Sequence, residues 1–293
     1  MAFFIQFCIT GVLVGFIYSL VALAFVLIYK SSKVINFAQG QMVMIGAFIT
    51  WWLVSVGLNL WQVIIIGAVI CMLIGVVIQR FGLQRLTGQP LLSLIMATIA
   101  LSAILQAVPL MVWGASPKVF PAYIHTGIVN FGPFFASTMH LWSLVVVVAV
   151  FGLLSYFFYR SKRGLQMRTV AESHSVAQSM GLNVNTIFIW TWGIAGVIGM
   201  AAGFLMGNIF EVNPILSDYG LKAFPVILLG GMESIGGCLI AGPIIGLAEQ
   251  LTAAYLDPLV GGGLSGTVPF IIMIIILFFK PFGLFGEERI ERI

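Results

Sequence analysis

Residues 7–29 read FCITGVLVGFIYSLVALAFVLIY, and residues 30–40 that follow read KSSKVINFAQG. The first stretch carries no charge. At ~1.5 Å per helical residue it is ~35 Å long, enough to cross a hydrocarbon core of ~30 Å. Lys30 and Lys33 then stop the crossing, and Asn36, Gln39 and Gly40 open the next apolar run. A bilayer penalises every unpaired amide, so such groups at the mouth of a helix face a pathway or another helix. The fold class read from this pattern is all-α, a polytopic transmembrane helix bundle forming a single domain over 1–293.

The bulk composition agrees. Hydrophobic residues make up 61% and charged residues 8%, against ~45–50% and ~25% in soluble domains. No soluble core hides that much apolar surface. The formal charge of +4 is scattered, without the clustered basic face and exposed aromatics of a nucleic-acid binder. Cys8, Cys71 and Cys238 are isolated in apolar sequence and read as small core residues, not disulfides or ligands. His125, His140 and His174 show no metal-ligand spacing, so no metal site is expected. Met1 to Phe4 lack a basic signal-peptide region, so the first span is expected to be retained. Residues 261–266, GGGLSG, satisfy GxGxxG only formally, since no strand precedes them. No GxxxxGK[ST] occurs, so this chain is expected to hold no ATP of its own.

Nine apolar runs are read: Phe7–Tyr29, Gln41–Val56, Leu60–Gln79, Leu91–Trp113, Leu141–Tyr159, Ile187–Phe210, Ala223–Met232, Cys238–Tyr255 and Thr267–Phe279. About 8–9 of them span, because Ala223–Met232 is short and the 223–237 region is either a re-entrant or a broken helix. Cations follow the odd-numbered runs: Lys30 and Lys33, then Arg80 and Arg85, then Arg160, Lys162, Arg163 and Arg168, then Lys280, Arg289 and Arg292. The positive-inside rule places the N-terminus outside and the C-terminus in the cytoplasm. Small residues recur every four positions at Gly11 and Gly15, at Gly242 and Gly246, and at Ala195, Gly199, Gly203 and Gly207. Such stripes let helix backbones touch, either within one subunit or across a dimer face.

The longest charged stretch is residues 160–185, RSKRGLQMRTVAESHSVAQSMGLNVN. A helix is read from about Leu165 to Met180, with Gly181 as its C-cap. Met167, Val170, Ala171, Ala177 and Met180 recur at helical spacing, with Arg168, Glu172, Ser175 and Gln178 elsewhere on the helix. Periodicity leaves two readings open, an interfacial loop anchored by cations or a helix docking in a cleft of a soluble partner.

Polar groups within the apolar runs are the candidate pathway: Asn36, Gln39, Thr98, Ser102, Gln106, Glu233, Ser234 and Glu249, with Pro109 as a kink. A carboxylate at mid-membrane costs ~2.5–3.5 kcal/mol, so Glu249 must be paired, protonated or wet. Its role is either a structural hydrogen bond or the pathway. Glu233 lies in a Gly-rich break, as broken helices of transport sites do. Glu211, Asn213, Asp218, Tyr219 and Lys222 read as an outer rim.

Several of these motifs together resemble the permeases of the high-affinity branched-chain amino-acid ABC importer family. They are Asn36-Phe37-Ala38-Gln39-Gly40 with Gly46-Ala47, then Thr98-Ile99-Ala100-Leu101-Ser102 and Lys222-Ala223-Phe224. Leu229-Gly230-Gly231-Met232-Glu233-Ser234-Ile235-Gly236-Gly237 and Gly246-Leu247-Ala248-Glu249 complete the set, in order over almost the full chain. Ala171 followed by Gly181 resembles the coupling region of such permeases. The resemblance implies ATPase-coupling residues Arg168, Ala171, Glu172, Ala177 and Gly181. It implies a second homologous permease subunit (a hetero- or homodimer), two cytoplasmic ABC ATPase subunits that bind the ATP, and an extracytoplasmic substrate-binding protein. The setting it implies is membrane lipid of a bacterial plasma membrane, with no nucleic acid. The cargo it implies is a branched-chain or other hydrophobic amino acid, with urea, short amides or aromatic acids as alternatives. A stand-alone secondary carrier or channel would need an internal proton relay, yet no His or Asp pair lies within a run. An intramembrane enzyme would need a nucleophile beside a base, and Ser and His never share a run.

Overall fold

Helix α1 (Ala2–Ser32) is apolar on every side, and a helix of that kind belongs at the centre of a bundle. That is where it sits: Ile17, Leu20, Val21, Leu23, Val26 and Ile28 are all fully buried. The computed structural model describes residues 2–86, 88–121, 127–131 and 134–286. His125, Arg289 and Arg292 lie outside them, and so do the side chains of His174 and Ser175.

Around α1 the order is α2 (Gln39–Ser55), α3 (Leu60–Val77), α4 (Leu91–Trp113), a hairpin of β1 (Ile128–Phe131) and β2 (Phe134–Ser137), α5 (Thr138–Arg160), α6 (Lys162–Glu172) and α7 (His174–Ser179). Then come α8 (Val184–Phe210), a 3₁₀ turn Pro214–Asp218, α9 (Tyr219–Gly230), α10 (Ile235–Tyr255), α11 (Asp257–Val260) and α12 (Leu264–Phe279). Among the described residues six helices are long and apolar enough to cross a bilayer: Phe3–Ser32, Leu60–Leu86, Leu91–Trp113, Thr138–Arg160, Val184–Phe210 and Ile235–Tyr255. Helix α2 has 17 residues and α12 has 16. Helix α9 has 12, ~18 Å at 1.5 Å per residue, too short to cross alone.

The glycine stripes are where backbones meet. Helix α10 runs antiparallel to α1, pairing Gly11 with Gly246 and Gly15 with Gly242, and a methyl group on Gly15 would stand 2.6 Å from Pro243 Cα. Gly199, Gly203 and Gly207 of α8 face α2 and its surroundings: Gly199 meets Met42 and Gln39, Gly203 meets Val43 and Ala47, and Gly207 meets Val212 and Phe120. The next face of α8 takes α3, with Gly196 against Cys71 and Gly75 against Trp192. Small residues thus let α8 contact two helices at van der Waals distance.

One local expectation needs correction. The 160–185 segment is not one helix from Leu165: α6 ends at Glu172, and Ser173 starts α7 by accepting from Val176 N with its hydroxyl. Serine is a strong N-cap, and that preference overrides the apolar periodicity running through it. The connection before α5 holds an antiparallel hairpin, Ile128 opposite Ser137, tied to α1 by Gln6 Nε2 donating to Phe135 O at 2.7 Å. The break near 223–237 takes the broken form: α9 ends at Gly230, Gly231 adopts φ +95, and α10 begins at Ile235.

Candidate functional site

The polar turn after α1 is built by its own side chains. Lys33 takes a left-handed conformation (φ 56) that turns the chain away from α1. Asn36 Oδ1 then accepts from Ala38 N at 3.0 Å, and its Nδ2 donates to Gln39 Oε1 at 3.1 Å. Those bonds hold the start of α2. Asn36 and Gln39 are both buried, and Gln39 Nε2 finds no acceptor. Gly40 and Gly220 let the starts of α2 and α9 touch backbone to backbone. Two helix N-termini therefore converge inside the bundle, each presenting amide N–H groups and a partial positive charge.

A cavity of about 250 Å³ opens beside this junction, lined by Phe37, Gln41, Ser102, Ser217, Asp218 and Phe224 among others. Its α4 wall is Ile99 and Ser102, and Thr98 and Gln106 fall on the same helical face as Ser102, a turn to either side. Thr98 is buried and its hydroxyl reaches the Ile95 and Ile35 carbonyls, at 2.9 and 3.4 Å. Gln106 Oε1 accepts from Gln41 Nε2 at 3.4 Å. Phe224 packs on Phe37 and Phe25 with ring centroids 5.4 and 5.1 Å away. Amides, hydroxyls and aromatic rings make this an amphipathic pocket.

Glu249 stands apart from that cavity. Its Oε1 accepts from Lys222 Nζ at 2.5 Å, joining α10 to α9, while Oε2 is buried without a hydrogen-bond partner. Lys222 also lies 5.0 Å from the Tyr219 ring. The sequence reading put Lys222 on an outer rim with Asp218; its ammonium turns inward because the Glu249 carboxylate sits there. Asp218 stays exposed, and Asn213 caps the 3₁₀ turn by accepting from Ile215 N at 3.0 Å.

Glu233 and Ser234 lie at the other end of the bundle. Lys33 Nζ pairs with Glu233 Oε1 at 2.6 Å, Lys30 Nζ donates to Glu233 O at 3.0 Å, and Ser234 Oγ caps α10 through Gly237 N at 3.0 Å. The chain after α12 closes over the break, with Leu284 N donating to Leu229 O at 2.8 Å. The six residues Asn36, Gln39, Thr98, Ser102, Gln106 and Gln41 thus form one group, and Glu233 with Ser234 another. Gln41 escaped the sequence reading because a glutamine one residue beyond Gly40 carries no motif of its own.

At the same end α6 turns Met167 and Val170 into the core and leaves Arg168 over Tyr159, 5.5 Å from its ring. Ala177 is fully buried, so it supports α7 from inside and offers no surface. Val176 and Met180, one turn apart, are 54% and 67% exposed. Gly181 has φ +80; its N–H bonds Gln178 O, and Leu182 N–H bonds Ala177 O, a Schellman ending that only glycine adopts freely.

Comparison with known proteins then decides the class. Residues 7–277 match the family model described as the branched-chain amino acid transport system / permease component. The chain belongs to this family. The permease is 27% identical to the high-affinity branched-chain amino acid transport system permease protein LivH of Escherichia coli K12, covering 99% of this chain and 98% of LivH. It is 28% identical to the corresponding protein BraD of Pseudomonas aeruginosa, over 99% and 98% of the two chains. The fold is shared with PsaBC from Streptococcus pneumoniae in complex with Fab, with a TM-score of 0.52 at 12% identity, covering 96% of this permease and 94% of that chain.

Proposed function

We propose that this permease carries branched-chain or other hydrophobic amino acids inward across a bacterial plasma membrane, powered by separate ATPase subunits. The observation that carries the cargo class is the amphipathic cavity at the α2–α9 junction. Two helix N-termini suit a carboxylate, the Asp218, Gln41 and Ser102 groups suit an ammonium, and Phe37 with Phe224 suits an apolar side chain. Full-length similarity to LivH and BraD points the same way.

In this reading the N-terminus lies outside and the C-terminus in the cytoplasm, so the Lys30, Glu233 and α6–α7 end faces the ATPases. Two homologous permeases, two ATPases that bind the ATP, and an extracytoplasmic substrate-binding protein complete the importer. The chain catalyses nothing itself. Closure of the ATPases pulls α6–α7 and tilts the bundle between outward and inward states, by an amount set by their differential binding energy. Val176 and Met180 form the apolar tip of the contact, Arg168, Ala171 and Glu172 its flank, and Ala177 with Gly181 hold its shape.

The test is cargo-dependent ATPase activity of the complex reconstituted with its binding protein, compared for leucine, urea and an aromatic acid. Stimulation by leucine supports the reading; stimulation by urea or the aromatic acid alone overturns the cargo class. Gly181→Pro is incompatible with φ +80 and, like Glu172→Arg, lowers transport while ATP hydrolysis continues uncoupled.

A further inference from the structure

A cavity of about 290 Å³ lies between the inner end of α1, helix α6 and the Gly231–Ser234 break. Lys30, Lys33 and Arg168 line it, facing Glu233 and Glu172. Among the described residues that line it, three cations against two carboxylates leave one positive charge over. Lys33 is paired with Glu233 at 2.6 Å, and Lys30 donates to the Glu233 backbone carbonyl. Arg168 is different. Its Nε is sealed from solvent with no hydrogen-bond acceptor, and the guanidinium rests 5.5 Å from the Tyr159 ring. Glu172 is one turn further along the same helix and exposed, yet it makes no ion pair with Arg168 within 4.0 Å.

A buried donor without an acceptor is costly, and a guanidinium offers a planar fork that fits two oxygens of a phosphate. A site with an excess positive charge, an unanswered guanidinium N–H and room for several heavy atoms calls for an anion. We propose that this cavity binds a phosphate group, whose oxygens accept from Arg168 and Lys30. Its level in the bundle names the source to test first. The cavity sits where α1 finishes its crossing and beside the terminal aromatics of α5, Phe158 and Tyr159, the depth at which basic pockets between helices take anionic lipid headgroups. A free phosphate reaching the same opening supplies the same chemistry. Either ligand ties α6 to the α1 terminus and the α9–α10 break, adding to the packing of α6 on α1 and to the Lys33–Glu233 pair.

The experiment places the purified permease complex in nanodiscs of phosphatidylcholine, of phosphatidylcholine with phosphatidylglycerol, and of phosphatidylcholine with inorganic phosphate in the buffer. Retained lipid is counted by mass spectrometry and the melting temperature is followed in parallel. Expected are enrichment of phosphatidylglycerol and a higher melting temperature in its presence. Arg168→Gln lowers the enrichment about fivefold, the worth of one cation near the membrane surface, and Glu172→Gln raises it. Stabilisation by inorganic phosphate without lipid enrichment, again lost in Arg168→Gln, assigns the same site to a free anion. If Arg168→Gln does not fold, Glu172→Gln and Lys30→Gln, moving enrichment in opposite directions, carry the test. Neither lipid nor phosphate responding to these substitutions overturns the proposal. Lipid binding is read without transport, so a failure of the importer reading leaves this outcome standing on its own.

Discussion

Substituting Gly203 by alanine probes the α8–α2 contact most sharply. A methyl group there would meet the Val43 carbonyl and lie 2.6 Å from Ala47 N, both backbone atoms that no rotamer change moves aside. Helix α2 must therefore retreat by ~1 Å, and a gap of that size forfeits a quarter to a half of each dispersion well along the seam. Over-packing of a tight interior costs ~1–3 kcal/mol, and a backbone-on-backbone clash belongs at the top, ~3 kcal/mol. Gly207→Ala meets side chains and no backbone, Val212 and Phe120 at 2.7 and 2.8 Å and Ala47 Cβ at 3.5 Å, so about 1 kcal/mol is expected. Gly199→Ala has Gln39 Nε2 as its nearest neighbour at 3.3 Å and should cost less still. Gly236→Ala meets nothing within 4 Å inside α10 and should stabilise by ~0.5 kcal/mol, since glycine is the costlier helix residue. Unfolding in mixed micelles by titration with SDS measures the series. Equal losses at all four positions, or a Gly203→Ala protein as stable as its parent, would refute the packing argument.

Three further outcomes follow from the same geometry. Lys222→Met strands the Glu249 carboxylate and should destabilise by ~3 kcal/mol, most of it recovered in Lys222→Met with Glu249→Gln, as the same SDS titration would report. Val176→Asp with Met180→Asp should leave a monodisperse permease that no longer stimulates ATP hydrolysis in the reconstituted complex; full stimulation would remove α7 from the contact. Asp257 is held below the usual carboxylate range by its hydrogen bond with the Ser265 hydroxyl and by the Ser265 and Leu264 N–H groups at the start of α12. A depressed carboxylate stabilises above its unfolded pKa and loses that contribution as pH falls through the folded one. Asp257→Asn should therefore flatten the acid side of the melting-temperature profile.

Much of this architecture was legible from residues alone. A helix apolar on all sides, as α1 is, has to be central, and Gly203 every four residues from Gly199 and Gly207 has to meet a backbone. Gly231 marks the break because only glycine sits comfortably at φ +95. Other features were hidden for identifiable reasons. The Lys222–Glu249 pair joins residues from two helices, and no local spacing announces it. Ser173 stands inside an apolar periodicity that reads as one helix, and its capping of a second one shows only in the fold. Of the coupling residues, Ala177 looked like surface and is core, because a short helix lying on the bundle buries the face that a free docking helix would show. The Asn36–Gln39 turn was recognised, whereas its meeting with α9 through Gly40 and Gly220 depends on the tertiary path.

In the importer proposed above, this permease provides the route and its partners the energy. Uptake of labelled leucine into proteoliposomes, with the purified chain alone and then with its copurified ATPases and binding protein, measures that directly. Expected are no accumulation by the chain alone and ATP-dependent accumulation by the complex. Accumulation by the chain alone, in ATP-free vesicles, would contradict it.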